Sequence, residues 1–376
     1  MNFIVSSSLL SAHLQSVGRV ISSKPSMAIL GNFLFELNGN ILTITGTDIE
    51  TTMVSKLEVE SASGDGKIAI EAKRLTDFMK VSGERPMTFN INEATLQVDI
   101  ITENGKYNIA AFNSDDFPKT QELNDDATDI KMSQEALLQG VTKALFAAST
   151  DTLRPVMTGV FVEIFADRVN FVASDAHKLV RYTRTDITSG IESSFILPPK
   201  PANMLQSFLS KSESQVRVAF DKKNAIFETD EYKLVCRLIE GNFPNYSKII
   251  PPESQNKVVI DRSELIGCLR RVAMCANQAS NLIKFSIAAN QLTVSAQDYD
   301  FSTSGHERIS CQYDGEEMEI GFKSTFLLDL LKNLDSTNEI AISLVNPGAA
   351  GVLTPYDNTS EKEDVLMLLM PMKLED

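Results

Sequence analysis

The chain has 376 residues, of which 43% are hydrophobic and 23% charged, which excludes a disordered or fibrous protein and leaves room for about two to three ordinary domains. Thirty-five Lys and Arg stand against fifty Asp and Glu, a net charge of −15. Summed over the chain, that balance speaks against a nucleic-acid partner, whose usual footprint is basic.

The first residues, Met1–Ser6, carry no positive region and lead into no long apolar run, so no secretory signal is expected. No apolar segment approaches the length of a membrane span. The cysteines, Cys236, Cys268, Cys275 and Cys311, include no C-x-x-C pair. Reduced thiols in the cytoplasm are expected, with no disulfide framework, metal site or cofactor.

Taken in order, the elements repeat three times. A helix over 7–24 places Leu10, Leu14, Val17 and Ile21 at helical spacing. A strand at Leu42–Thr47 ends in a turn at Asp48, a second helix spans 72–82, and a closing strand meets Phe117–Pro118. The second copy has a helix over 133–149, N-capped by Ser133, with Leu138, Val141, Leu145 and Ala148 as its stripe. It continues with Val169–Ser174 and the turn at Asp175, a helix over 198–211, an alternating strand at Val216–Phe220, and Phe243–Pro244. The third has a helix over 262–278, where Asp261 and Glu264 form a capping-box spacing and Leu265, Leu269, Val272 and Cys275 the stripe. Leu292–Gln297 with Asp298, a helix over 323–334 and Met370–Pro371 complete it.

The spacing is regular. Leu9, Leu137 and Leu265 lie 128 residues apart; Asp48, Asp175 and Asp298 lie 127 and 123 apart, as do Lys73, Lys200 and Lys323. Such self-similarity marks one supersecondary unit used three times. Two short helices with that many alternating strands make an α+β unit, helices packed on antiparallel sheet. Polar, acidic joins at Asn124–Asp129 and Pro251–Asn256 give domains 1–122, 130–250 and 257–376. The polar run Pro355–Asp364 reads as a mobile loop.

Divided by element, the charge changes sign. The six expected helices hold thirteen basic and four acidic residues, so they carry +9 and the remainder −24. Residues 5–35 contain no acid. A basic helical face suits a phosphate backbone, bound without base reading and sensitive to salt.

Six motifs then appear in order: Met27–Asn32, Gly46–Glu50, Ala173–Leu179, Glu240–Tyr246, Glu317–Phe322 and Leu369–Leu374. Together, on the threefold repeat, they resemble the bacterial DNA polymerase III β subunit family, the replicative sliding clamps, over essentially the whole chain. The resemblance implies three clamp domains whose helices line a ring, closed by a head-to-tail homodimer around double-stranded DNA. It implies DNA contact at Lys24, Lys73, Arg154 and Lys200, to which the helical charges add Arg74, Arg270 and Arg271. It also implies a hydrophobic cleft for short peptide motifs of the DNA polymerase III α subunit, the clamp loader, other polymerases and repair proteins. Its positions here are Met157, Ser174, Ala176, His177, Leu179, Pro244, Lys248, Ile249, Leu368, Leu369, Met370, Pro371 and Met372. Ala176 stands where glycine is common, and Lys178 and Lys248 where arginine is frequent, which loses the bidentate fork. At the dimer seam, Tyr107 and Ile109 would meet Met274 and Cys275 of a second copy.

No catalytic constellation emerges. His13, His177 and His306 stand near no nucleophile, and the phosphate-loop, zinc-protease and nucleophile-elbow patterns are missing. Asp48, Asp175 and Asp298, one per repeat, read as turn-shaping residues. A non-catalytic processivity clamp is the expectation; a peptide-binding scaffold without a DNA role and a nucleic-acid hydrolase are the rival classes.

Overall fold

The computed structural model describes residues 1–356 and 360–374. The centre of the polar run expected to be a mobile loop, residues 357–359, lies outside the described residues.

One element order recurs: strand, helix, three strands, strand, helix, three strands. In the first repeat these are β1 (Asn2–Ser6), α1 (Ser7–Gly18), β2 (Asn32–Asn38), β3 (Ile41–Thr47), β4 (Thr51–Glu58), the extra short β5 (Ser61–Ser63), β6 (Gly66–Glu71), α2 (Ala72–Val81), β7 (Pro86–Asn92), β8 (Gln97–Thr102) and β9 (Gly105–Phe112). The second has β10 (Thr128–Ser133), α3 (Gln134–Leu145), β11 (Val160–Ile164), β12 (Val169–Ser174), β13 (Lys178–Arg184), β14 (Ser193–Leu197), α4 (Pro199–Phe208), β15 (Gln215–Phe220), β16 (Asn224–Glu228) and β17 (Tyr232–Arg237). The third has β18 (Lys257–Asp261), α5 (Arg262–Val272), β19 (Leu282–Ala288), β20 (Gln291–Asp298), β21 (Thr303–Ser310), β22 (Met318–Lys323), α6 (Ser324–Asn333), β23 (Glu339–Ser343), β24 (Gly351–Pro355) and β25 (Glu363–Leu369).

Local chemistry explains the boundaries. Ser133 Oγ accepts from the Ala136 N–H at 3.1 Å and Asp261 Oδ1 from the Glu264 N–H at 2.7 Å, each satisfying a donor the helix start leaves open. The helices are shorter than their apolar stripes suggest. α1 stops at Gly18 instead of 24: the N–H groups of Val20 and Ile21 turn to the carbonyls three residues back, at 3.3 and 3.1 Å, which tightens and ends the ladder, and Pro25 disfavours helical backbone at Lys24 beyond it. α3 stops at Leu145, and α5 passes at Ala273–Cys275 into a 3-10 turn. The six observed helices therefore carry nine basic and four acidic residues, +5 in place of +9, leaving −20 elsewhere.

The three aspartates shape turns, as their spacing implies. Asp48 Oδ1 accepts from the Thr51 N–H at 2.7 Å. Asp175 Oδ1 accepts from the N–H groups of His177 and Lys178, both at 2.9 Å, and Asp298 Oδ1 from those of Asp300 and Phe301 at 2.9 and 3.2 Å.

Two compact units result, and each repeat boundary lies inside one of them. The first comprises residues 1–138 and 200–240, the second 139–199 and 241–376. In the first unit thirteen strands follow one another as β10-β15-β16-β17-β4-β3-β2-β6-β9-β8-β7-β1-β5. The first and second repeats join where β17 pairs β4, from Tyr232↔Ser55 to Cys236↔Thr51. α1 lays Leu10, Leu14 and Val17 over β3 and β4, so close that a Cβ added at Gly46 would fall 2.9 Å from Val17 Cγ1. Only a glycine permits that approach.

In the second unit an eight-stranded sheet runs β14-β11-β12-β13-β25-β24-β23-β18, beside a four-stranded sheet β21-β20-β19-β22. The second and third repeats join where β13 pairs β25, from Lys178↔Leu369 to Arg184↔Glu363. Tyr182 Oη donates to Glu363 Oε2 at 2.5 Å and Arg181 meets Asp364 at 2.9 Å across that join. α5 packs on α6, β20 and β21, and Phe285 meets Phe322 edge-on beneath the four-stranded sheet.

Candidate functional site

The residues expected to form a peptide cleft lie within the second unit. Several surround an apolar cluster of Val172, Leu179, Tyr246, Ala350 and Leu368, with Phe161, Phe243, Ile250 and Leu366 packed against it, which would serve as the floor of such a cleft. Leu179 and Leu368 are register partners on β13 and β25, so the repeat join itself builds the floor. Phe161 of β11 stacks flat on Phe243, ring centroids 4.9 Å apart.

The rim comes from three segments. The turn after β12 is held by Ser174 Oγ, which donates to the Lys178 carbonyl at 2.8 Å, and by Asp175. Within it Ala176 takes a φ of +76°, the left-handed region that favours glycine. That conformation fits the glycine the resemblance leads one to expect here. His177 stacks on Phe326 at 5.8 Å, and its carbonyl accepts from the Met370 N–H at 2.8 Å. Pro244, Lys248 and Ile249 project from the loop after Gly241, Ile249 being 49% exposed. Met370 is 40% exposed where β25 ends.

Other expected cleft residues are placed differently. Ser174 and Leu369 are buried, as Leu179 and Leu368 are, with Leu369 inside β25 opposite Lys178 and Gly351. Met157 is also buried, its carbonyl accepting from the Ser149 N–H. Pro371 and Met372 line a cavity of about 430 Å³ against Glu319–Gly321 of β22, and the Met372 N–H donates to the Gly321 carbonyl at 2.8 Å. Lys178 is no free rim cation: it is 6% exposed, its Nζ 2.8 Å from Asp175 Oδ2 and 4.5 Å from the Phe326 ring centre. Phe161, Phe243, Tyr246 and Phe326 are not among the expected cleft residues. The signal for two of them is the aromatic pair in Phe243-Pro244-Asn245-Tyr246, which is too rich for a solvated loop.

The expected DNA-contacting residues divide in two. Lys24, Lys73 and Arg270 are exposed and have no ion-pair partner among the described residues. The others are engaged. Arg74 pairs with Glu71 at 3.2 Å and Arg154 with Asp151 at 3.0 Å. Arg271 forks onto Glu307, which raises the guanidinium's pKa and lowers the carboxylate's. Lys200 Nζ donates to the Val20 carbonyl at 2.7 Å and to Asp48 Oδ2 at 2.5 Å, tying the second repeat to the first within one unit.

At the expected dimer seam, Tyr107 is 46% exposed on β9 and packs on Phe78 at 4.8 Å, while Met274 is 85% exposed. Ile109 is buried at 6% exposure opposite Val98, so it belongs to the core of the first repeat. Cys275 is partly buried against Gly305 of β21. Burial pushes the thiols of Cys236 and Cys268 up to about 12 and about 11. Among the described residues no three His, Cys, Asp or Glu side chains group to hold a metal ion.

Comparison with known proteins places this architecture. The family models described as DNA polymerase III beta subunit, N-terminal, central and C-terminal domain match residues 1–121, 131–245 and 247–373. The chain belongs to the DNA polymerase III beta subunit family. This beta subunit is 26% identical over 376 residues to the beta sliding clamp of Pseudomonas putida and 27% over 389 to that of Synechococcus elongatus, each match covering 100% of both chains. Among solved structures it is similar to a sliding clamp of Pseudomonas aeruginosa bound to griselimycin, with TM-score 0.94 and 24% identity, and to the beta subunit of Thermotoga maritima, with TM-score 0.89 and 25% identity. Both likenesses cover 100% of each chain. No helix of the beta subunit is long and apolar enough to cross a membrane.

Proposed function

We propose that this beta subunit is a sliding clamp: a ring-shaped homodimer that encircles double-stranded DNA and tethers the replicative polymerase for processive synthesis. It carries out no reaction of its own. Residues 1–122, 130–250 and 257–376 are its three clamp domains, and it acts in the cytoplasm.

The observation that carries this reading is a pairing rule. The fourth strand of one repeat pairs the last strand of the next, as β4 with β17 and β13 with β25. Among the described residues the strands left over are β21, an edge paired only to β20, and β9, whose Gly105–Ala110 stretch pairs only with β8. Applying the rule once more joins β21 to β9 of a second copy, and doing so twice closes a head-to-tail ring. The register transfers too. Hairpin centres advance by 127 residues from β3–β4 to β12–β13 and by 124 to β20–β21, and β8–β9 precedes β16–β17 by 127. Thr303 then faces Asn108 and Ser304 faces Tyr107 of the second copy. Closure removes both open edges.

Inside such a ring, Lys24, Lys73 and Arg270 supply loose phosphate contacts, which position without reading sequence. Arg74, Arg154, Lys200 and Arg271 reinforce the field while staying tied to their carboxylates. The apolar floor and partly exposed rim receive short peptide segments of the DNA polymerase III α subunit, the clamp loader, and other polymerases and repair proteins. Extended apolar anchors in a groove suit that task.

Retention tests the reading. Clamp loaded on a nicked circle should stay bound and fall off once the circle is linearised. Equal release from both would sink it.

A further inference from the structure

The loop that carries Pro244, Lys248 and Ile249 rests on one face of β11–β13 through two aromatic anchors. The apolar one is Phe243 on Phe161. The polar one is Tyr246, whose ring lies in the cleft floor while its hydroxyl reaches Glu163 Oε2 at 2.5 Å. Phe161 and Glu163 are two residues apart on β11, hence on the same face.

Beneath the tyrosine hydroxyl, Glu163, Asn170 and Thr183 form one cross-strand row, paired Glu163↔Asn170 and Asn170↔Thr183. The Asn170 amide donates to Glu163 Oε2 and to Tyr246 Oη, both at 3.1 Å, and its Oδ1 accepts from Thr183 Oγ1 at 2.8 Å. Asn170 and Thr183 are each 6% exposed, so the bonds of Asn170 to Tyr246 and Thr183 form away from bulk water. Burial and the Glu163 carboxylate together raise the Tyr246 pKa, which keeps the hydroxyl a donor. A hydrogen bond to a charged acceptor is stronger than a neutral one, and this one is aimed by a fully paired row.

We propose that Glu163 is a positioning residue of the peptide cleft: acting through Tyr246, and aimed by Asn170 and Thr183, it fixes the loop that presents Pro244, Lys248 and Ile249. This rests on the cleft binding peptides. Glu163 touches no ligand itself. It sets the height of the tyrosine ring in the floor, and so the shape an incoming apolar side chain meets.

The test uses the full chain and a fluorescein-labelled copy of the short peptide motif of the cognate DNA polymerase III α subunit. Glu163→Gln keeps the side-chain volume and removes the charge. It should weaken peptide binding about tenfold, as should Tyr246→Phe, while clamp already loaded on circular DNA is retained as long as wild type. The double variant should bind no worse than the weaker single one, because both changes break the same link. Binding by Glu163→Gln within twofold of wild type overturns the proposal, as do additive losses or a parallel loss of DNA retention. Failure of the wild-type chain to bind the peptide instead refutes the cleft reading on which it rests.

Discussion

Lys200 and Lys24 are both basic residues expected at the DNA face, yet the structure gives them different work. Lys200 Nζ holds the Val20 carbonyl, just past the end of α1, and Asp48 Oδ2 at the turn of the neighbouring repeat. Lys24 is exposed and unpaired among the described residues. Lys200→Gln should therefore lower unfolding free energy by about 1 kcal/mol: an ion pair 43% exposed on the lysine side contributes a fraction of that, and a lost bond to a helix-end carbonyl the rest. Lys24→Gln should leave stability unchanged. For binding to a short linear duplex the expectations invert. Removing one phosphate contact reduces the slope of log affinity against log salt by about 0.9, and this should be seen for Lys24→Gln alone. Urea melts and fluorescence anisotropy between low and moderate salt measure the two quantities. A reduced slope with unchanged stability in Lys200→Gln would falsify the assignment of that lysine to the repeat join.

Three further outcomes follow from residues already placed. Leu368→Ala removes a side chain 1% exposed in the cleft floor and should cost about 2–5 kcal/mol in urea unfolding, with peptide binding lost in parallel. His13 is buried, with Nδ1 2.5 Å from Ser55 Oγ and its ring stacked on Tyr232; burial lowers its pKa, opposed in part by Glu231. The unfolded chain then takes up a proton first, so stability should fall as pH drops below about 6.5, by at most about 1.4 kcal/mol per pH unit, and His13→Gln should abolish that component of the slope. Tyr107→Asp places a charge at the open edge of β9 and should shift sedimentation from dimer toward monomer while the far-ultraviolet circular dichroism is unchanged; a dimer of undiminished affinity would count against the β21–β9 seam.

The repeat and its turns are legible in the sequence because they depend on local chemistry. Asp48, Asp175 and Asp298 accept bonds from residues two or three positions ahead, a pattern written within a few letters of sequence. The N-caps at Ser133 and Asp261 are equally local. The apolar stripe overruns the end of α1 because Ile21 continues the spacing of Val17, whereas the helix ends where Val20 and Ile21 bond to the carbonyls three residues back. The fate of individual charges is not legible at all. Lys200 finds its carboxylate at Asp48, 152 residues away, and no periodicity reports that. In the cleft, resemblance points to Leu179 and Leu368, but the aromatic support from Phe161 and Tyr246 depends on how a loop lies across three strands. Such placement is a tertiary fact.

The pairing of β17 with β4 and of β13 with β25 has a consequence for what can be cut apart. The stretch of sequence that recurs is not the stretch that holds together: the central repeat gives β10 and β15–β17 to one compact unit and β11–β14 to the other. A first repeat expressed by itself would bare the flank of β4, and a lone central repeat would bare two flanks, β13 and β17. Each is a ready template for aggregation. The sequence repeats in thirds, but its packing divides in halves.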